Sequence, residues 1–416
     1  MALRYVGGQV GARGEVRETS AGAVASVHWK VLTLCVVAAT VEGYDTQVIG
    51  YVVPVITKAW ALRPGAFGPT LAVGLFGLML GCLFIAPLAD RIGRKWIIVA
   101  STLAYAILIL ATATATTLNG IFWLRFLTGL GLGGSLPNIA AMAADFSSAK
   151  WRATAVASLF IGFGLGGFFG GVVAAWLLAL HGWQSVFVFG GAASLLLVPV
   201  LAFALPDARP RATAGGNPVT GLFLDGRGRV TVALWLVNFM GLMDLYLLAS
   251  WLPTTLNGQG ISIPVAALIT GFMQIAGAVG ALTLGPLVDR YGPMPALPIA
   301  YLIAALSIAA IGLAGGSVAF SMIAVFGAGF GIVGCQDCNS GVAAKLYPPE
   351  MRSTGVGWAL GIGRIGSIIG PFVVGELLSG GVDNRTIFLF SAVPAVLAAA
   401  GYLAMGQRPE FTQRDA

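Results

Sequence analysis

Residues 31–56 read VLTLCVVAATVEGYDTQVIGYVVPVI, and two carboxylates, Glu42 and Asp45, interrupt an otherwise apolar stretch. The stretch is long enough to cross a lipid bilayer as a helix. A charge at mid-bilayer costs roughly 2.5–3.5 kcal/mol on insertion scales, so such residues face a protein interior or a wet cavity. A spacing of three places both acids on one helix face. Ionised together they repel, which favours holding a proton between them. An acid that binds and releases a proton inside a membrane is what proton-coupled transport needs. Asp45 is the first choice for that proton, with Glu42 sharing it. The plainer alternative is a structural acid bonded to a neighbouring helix.

Two arginines stand in equally apolar surroundings, Arg125 in RFLTGLGLGG and Arg364 in GIGRIGSIIG. A buried guanidinium demands a partner. It suits either an intramembrane acid or a substrate carboxylate, because its planar fork gives two parallel bonds. The alternative is a fixed salt bridge between helices, and the sequence does not divide the roles. Asp244 and Asp337 are further acids in apolar runs, and Gln336 and Asn339 flank Asp337. Such side chains bind substrate hydroxyls or simply pair helices. Tyr44 and Trp358 are candidates to stack on an aromatic ring, with packing as the competing role.

The elements that must position these residues follow from composition. The chain has 416 residues, of which 57% are apolar, 9% charged, and 59 are Gly. That is the profile of a polytopic membrane protein, in which small residues let helices pack closely. The spacing of apolar runs predicts spans at 28–56, 65–88, 96–116, 119–145, 152–179 and 184–204. Six more follow at 230–254, 262–286, 294–314, 317–345, 352–379 and 386–405. The fold class is therefore all-α, with twelve transmembrane helices in two six-helix bundles, 28–204 and 230–405. A hydrophilic connector, 205–229, lies between them, and tails 1–27 and 406–416 flank them. No cleaved signal is expected in 1–27. Lys and Arg gather in alternate loops, with Arg91, Arg94, Lys95, Lys150, Arg152, Arg227, Arg290 and Lys345 on one side. Lys58, Arg63 and Arg385 fall on the other. By the positive-inside rule both termini and the connector are cytoplasmic. The net charge of +7 is spread over these loops and is no nucleic-acid footprint.

The two halves repeat. APLADRIGRK follows the second span and GPLVDRYGPM the eighth, aligning Asp90 with Asp289 and Arg91 with Arg290. Arg152 and Thr154 align with Arg352 and Thr354, and Gly166 and Gly170 with Gly366 and Gly370, all at offsets of 199 or 200. Matching loops at one offset are the mark of duplicated halves.

LADRIGRK, its copy after the eighth span, and RFLTGLGLGG resemble the signature of the major facilitator superfamily over essentially the whole chain. The loop motif departs once, with Ala86 where the family usually has Gly, a place Gly285 keeps in the second copy. EGYDTQVIGYVVP further resembles the Asp-Gly-x-Asp first helix of aromatic acid:proton symporters, with Glu42 for the first Asp. MDLYLLASWLP and RSTGVGWALGIGRIGSIIGP are similar to that family too. The resemblance implies a carrier, not an enzyme, that imports benzoate- or hydroxybenzoate-type carboxylates with protons by alternating access. It implies no cofactor, the cytoplasmic membrane of a bacterium as location, and a monomer as the expected state. It favours importance for Arg125. It also implies a cytoplasmic gate latch formed by Asp90, Arg91, Gly93, Arg94, Asp145 and Arg152, with Asp289 and Arg290 in the second copy. A proton-coupled carrier of another organic anion, or an exporter of drugs or solutes, would share the same fold and loop motif.

Three GxGxxG runs, at Gly129, Gly162 and Gly361, lack the preceding strand of a nucleotide site and read as close-packing helix surfaces. Cys335 and Cys338 form a CxxC inside a span with no second ligand pair, so no metal is expected.

Overall fold

The computed structural model describes residues 16–147, 151–207, 219–224, 226–347 and 352–406. Side chains are described from Trp29 onward, except at Asp90, Arg152, Ala153, Val219, Ala344, Arg352 and Ser353. Residues 1–15 and 407–416 of the two tails, residues 208–218 and 225 of the connector, Lys150, and the gate roles expected of the Asp90 and Arg152 side chains thus lie outside the described residues.

Twelve long helices follow one another: α1 Val16–Ala59, α2 Gly68–Leu88, α3 Arg94–Thr112, α4 Leu118–Asp145, α5 Arg152–Leu180 and α6 Trp183–Ala204. The second half supplies α7 Gly228–Gly258, α8 Ile263–Tyr291, α9 Pro293–Ile311, α10 Val318–Leu346, α11 Arg352–Ser379 and α12 Asn384–Met405. Among the described residues, eleven of them are long and apolar enough to cross a membrane. The twelfth is α1, whose apolar stretch holds the two acids. Helix α2 loosens into a π turn at Gly81–Ile85 and a 3₁₀ turn at Ala86–Leu88. Pro87 explains the irregularity, since it lacks the N–H that would bond back to Leu83. Helix α3 stops at Thr112, four residues short of the apolar run, and α1 starts well before residue 28.

The packing is pseudo-symmetric. In the first half α1 packs on α5 and α6, α2 on α4, and α3 on α4 and α6. The second half repeats this with α7 on α11 and α12, α8 on α10, and α9 on α10 and α12. Repeated glycines hold equivalent places. A Cβ on Gly166 would meet the Thr40 carbonyl of α1, and one on Gly366 the Phe239 carbonyl of α7. Small residues at such crossings let the backbones touch.

The two bundles meet along α1–α7, α2–α11 and α5–α8. Among the described residues, the contacts that can be named between the bundles run from the middle of the helices toward the 60–67 loop. There a Cβ on Gly68 would lie 2.9 Å from the Gly375 Cα, and one on Gly171 2.9 Å from the Gly271 Cα. Ser379 Oγ donates to the Pro64 carbonyl at 3.0 Å. Nearer the middle, Gln274 Nε2 of α8 donates to Gln47 Oε1 of α1 at 2.5 Å, with both amides buried. Toward the opposite end, where α2 gives way to α3, glycines face open space instead: Gly164 on α5, Gly285 on α8, Gly341 on α10, and Gly357 and Gly361 on α11. Among the described residues the bundles thus touch toward the 60–67 loop, while a Cβ on these glycines of the opposite end would have no neighbour within 4 Å.

Candidate functional site

Asp45 lies where α1, α2 and α4 surround a cavity of about 350 Å³, counting the part open to solvent. Leu71, Gly74, Leu75 and Leu78 recur on α2 at the spacing of one helix face and form its apolar wall, with Ile49 and Leu132 completing it. Gly74 and Gly129 bring α2 and α4 so close that a Cβ on Gly129 would fall on the Gly74 carbonyl. The polar lining is Asp45, Thr46, Thr70, Arg125 and Thr128. A second cavity, about 290 Å³, shares Thr46, Ile49, Leu71 and Leu75 with the first and reaches Tyr246, Ala249 and Ser250 of α7. The joined space therefore touches both bundles.

Asp45 is fully buried, and its Oδ2 accepts from Ser194 Oγ of α6 at 2.6 Å. Its other oxygen, Oδ1, has no partner. Glycine at position 190 of α6 is required here, because a Cβ would stand 2.6 Å from Asp45 Oδ1. Arg125, 4% exposed, donates from Nη2 to Thr112 Oγ1 at 3.4 Å and sits over the Phe187 ring at 5.5 Å from its centroid. Its Nε is buried without a partner. Among the described residues, no ion pair within 4 Å joins Asp45 to Arg125. An acid and a base thus share one cavity, each with bonding capacity left over.

Glu42 does not reach that lining. It is 1% exposed in the interior of the first bundle, beside Ser135 of α4, and its Oε1 has no partner. Around it the Tyr105 hydroxyl, Thr102 Oγ1 and Ser135 Oγ are buried and unpartnered too. Sequence reading missed Ser194, Tyr105, Thr46, Thr128, Gln47 and Gln274. The available signal was their polarity inside otherwise apolar runs.

A sequence profile of the Major Facilitator Superfamily matches residues 35–371 and 234–415. The chain belongs to the Major Facilitator Superfamily. It is 36% identical to a gallate transporter of Pseudomonas putida, with 92% of this chain and 93% of the relative covered. To the 4-hydroxybenzoate transporter PcaK of the same organism it is 33% identical, covering 91% and 92%. The fold is similar to that of a bacterial homologue of the human lysosomal transporter Spinster, in an inward-facing, unoccupied conformation. That match has TM-score 0.76, 20% identity, and coverage of 91% of this chain and 97% of the other. The superfamily assignment makes the chain a multi-pass membrane transporter rather than an enzyme.

Most other residues singled out in the sequence sit away from the cavity of this transporter. Arg364 of α11 is half-buried, donates to the Tyr246 hydroxyl at 3.1 Å, and so borders the second cavity through Tyr246. Tyr44 turns to α6, where its hydroxyl donates to the Val186 carbonyl at 2.8 Å. Trp358 is 42% exposed and stacks on Trp235. Asp244 is fully buried among the helices of the second bundle, with both carboxylate oxygens unpartnered. Gln336 and Asn339 belong to a buried network with Asn238, Tyr301 and Tyr402. Asp337 is half-buried on the same helix, α10. The structure therefore brings Asp45 and Arg125 together, and leaves Tyr44, Asp244, Gln336, Asp337, Asn339 and Trp358 outside the cavity lining.

Residues expected at a gate pair within each bundle instead of across the seam. Arg94 bonds to Asp145 of α4 in the first half. Lys345 of α10 bonds to Asp289 at 2.8 Å in the second. Signs are swapped between the repeats: the loop supplies the base in one and the acid in the other. Gly93, with φ of 99°, takes the left-handed turn that separates the short helix Ala89–Ile92 from α3, a conformation suited to Gly. Arg91 is exposed beside it, and Arg290 lies over the Tyr291 ring at 5.1 Å.

Proposed function

We propose that this transporter is a proton-coupled symporter that imports an aromatic carboxylate of the benzoate or hydroxybenzoate type. The observation that carries the reading is the cavity in which Asp45 and Arg125 stand together, each short of partners, between apolar walls. Arg125 offers its fork to a carboxylate. Leu71, Leu75, Ile49 and Leu132 offer flat apolar contact to a ring. A substrate anion beside an ionised Asp45 would be repelled, so substrate and proton enter together. The names of the relatives, transporters of gallate and 4-hydroxybenzoate, support the substrate class.

With the Lys- and Arg-rich loops cytoplasmic, the open end faces the cytoplasm and this state is the one that releases substrate. Import then runs as follows. From the outward-open state the anion binds at Arg125 while Asp45 takes a proton, with Glu42 as its relay into the bundle. The paired charges lower the cost of closing the site. The bundles, 28–204 and 230–405, rock until the 60–67 end is shut. Proton and anion then leave to the cytoplasm, and separation of Asp90, Arg91, Arg94, Asp145, Arg152, Asp289 and Arg290 across the seam accompanies the opening. One chain supplies the whole cavity, which suits a monomeric unit in the bacterial cytoplasmic membrane. One proton per carboxylate makes uptake electroneutral, and two make it electrogenic. Uptake of a panel of radiolabelled aromatic acids by cells expressing the chain tests the proposal. Saturable, uncoupler-sensitive uptake of at least one of them is expected. Uptake of none, or accumulation indifferent to an uncoupler, would contradict it.

A further inference from the structure

We propose that Thr46, Thr70 and Thr128 receive ring hydroxyl groups, so that the cavity prefers benzoates carrying two or three hydroxyls to benzoate itself. The proposal rests on the reading of the cavity as an aromatic carboxylate site. A threonine in a membrane helix usually spends its hydroxyl on the carbonyl four residues back. Thr40, Thr112, Thr255 and Thr270 do so here, at 2.8–3.0 Å. Thr46 and Thr128 do not, and their buried Oγ1 atoms have no partner of any kind. Both line the cavity that holds Arg125, and Thr70, 2% exposed, lines it with them.

Their placement matters as much as their freedom. The three hydroxyls come from three helices, α1, α2 and α4, so they stand around the cavity rather than along one side. Thr128 lies one turn from Arg125 on the same face of α4, and Thr46 adjoins Asp45. A carboxylate held by Arg125 places the ring between the leucine and isoleucine walls, with its rim toward the threonines. One hydroxyl could satisfy one of these groups. Satisfying several takes a ring with several hydroxyls, and a bare ring leaves Thr46 and Thr128 unpaired in an apolar enclosure. Sites of that kind reject the analogue that lacks the hydroxyl.

The test is binding of benzoate, 4-hydroxybenzoate, 3,4-dihydroxybenzoate and 3,4,5-trihydroxybenzoate to the purified full chain, with Thr46→Val, Thr128→Val and Thr128→Ser beside it. Affinity of the unaltered protein should rise along the series. Each Val variant, equal in shape, should cut affinity for the hydroxylated acids by about 2- to 12-fold, the worth of one neutral hydrogen bond. Benzoate affinity should stay within about twofold, and Thr128→Ser should restore the preference. A flat series, or equal losses for benzoate and trihydroxybenzoate, would overturn the proposal while leaving the aromatic carboxylate site standing. Binding of none of the four acids would instead overturn the proposed function, and this inference with it.

Discussion

At the scale of single residues, coupling depends on which group holds the charge. Asp45 has one oxygen bonded to Ser194 and the other free. Asp45→Asn keeps the shape and the Ser194 contact but cannot titrate. It should abolish accumulation against a gradient while exchange of labelled for unlabelled substrate survives. Full accumulation by that variant would remove Asp45 from the coupling role. Its sign with pH is fixed by the chemistry: uptake driven by the unaltered chain rises as the outside is acidified, and that dependence is lost with Asn. The two arginines separate in the same way. Lys keeps the charge of Arg125 but loses the planar fork. Arg125→Lys should weaken substrate binding by roughly 1.5–3 kcal/mol, the range for a bond to a charged group. Arg364 is tied to the Tyr246 hydroxyl, so Arg364→Lys should leave affinity nearer to normal and slow turnover. Equal affinity losses in both variants, measured by titration of the purified proteins, would dissolve the distinction. The sequence singled out Asp45, Glu42 and Arg125 because a charge in an apolar run is conspicuous. Thr46, Thr128 and Ser194 are not, since a lone hydroxyl in a membrane helix ordinarily bonds its own backbone, and only three-dimensional placement shows which ones do not.

At the scale of elements, glycine decides how near two helices come. Gly129 of α4 lies against the Gly74 carbonyl of α2, and that crossing shapes the cavity wall. Gly129→Val should force the helices apart and cost about 1–3 kcal/mol of stability through overpacking. A lowered unfolding temperature in detergent is the readout, and unchanged stability would mean the crossing is slack. The twelve spans were legible because polar residues, Gly or Pro break the apolar runs. Their irregularities were less so. The π turn in α2 follows from Pro87 together with the packing of Gly81 on α4, and only the proline is visible in the sequence. Gln336 and Asn339 read in sequence as groups that bind substrate hydroxyls or pair helices. In the structure they bond with Asn238, Tyr301 and Tyr402 across α7, α9, α10 and α12.

At the scale of the whole molecule, the described residues of the two bundles meet toward the 60–67 loop and leave room around several glycines at the other end. Gly361 of α11 faces open space in this state. Gly361→Leu should therefore fold normally, yet obstruct closure of the open end. Wild-type unfolding temperature with strongly reduced transport is expected, and normal turnover would show that α11 does not close there. The buried amide bridge from Gln274 to Gln47 crosses the seam at the depth of Asp45. Gln274→Met keeps the bulk but removes the bond, and should shift the resting balance toward the opposite opening by about 2- to 12-fold. A cysteine introduced at Ser250 reports that shift as faster labelling from outside, and unchanged labelling would deny the bridge its role. All of this serves one claim, that carboxylate and proton cross together through the Asp45–Arg125 cavity. The direct measurement is made in proteoliposomes with a pH-sensitive dye trapped inside and no imposed gradient. Adding hydroxylated benzoate outside should acidify the lumen as labelled substrate enters, and Asp45→Asn should do neither while still exchanging substrate. Substrate entry with no lumenal acidification, or acidification undiminished in Asp45→Asn, would contradict the account.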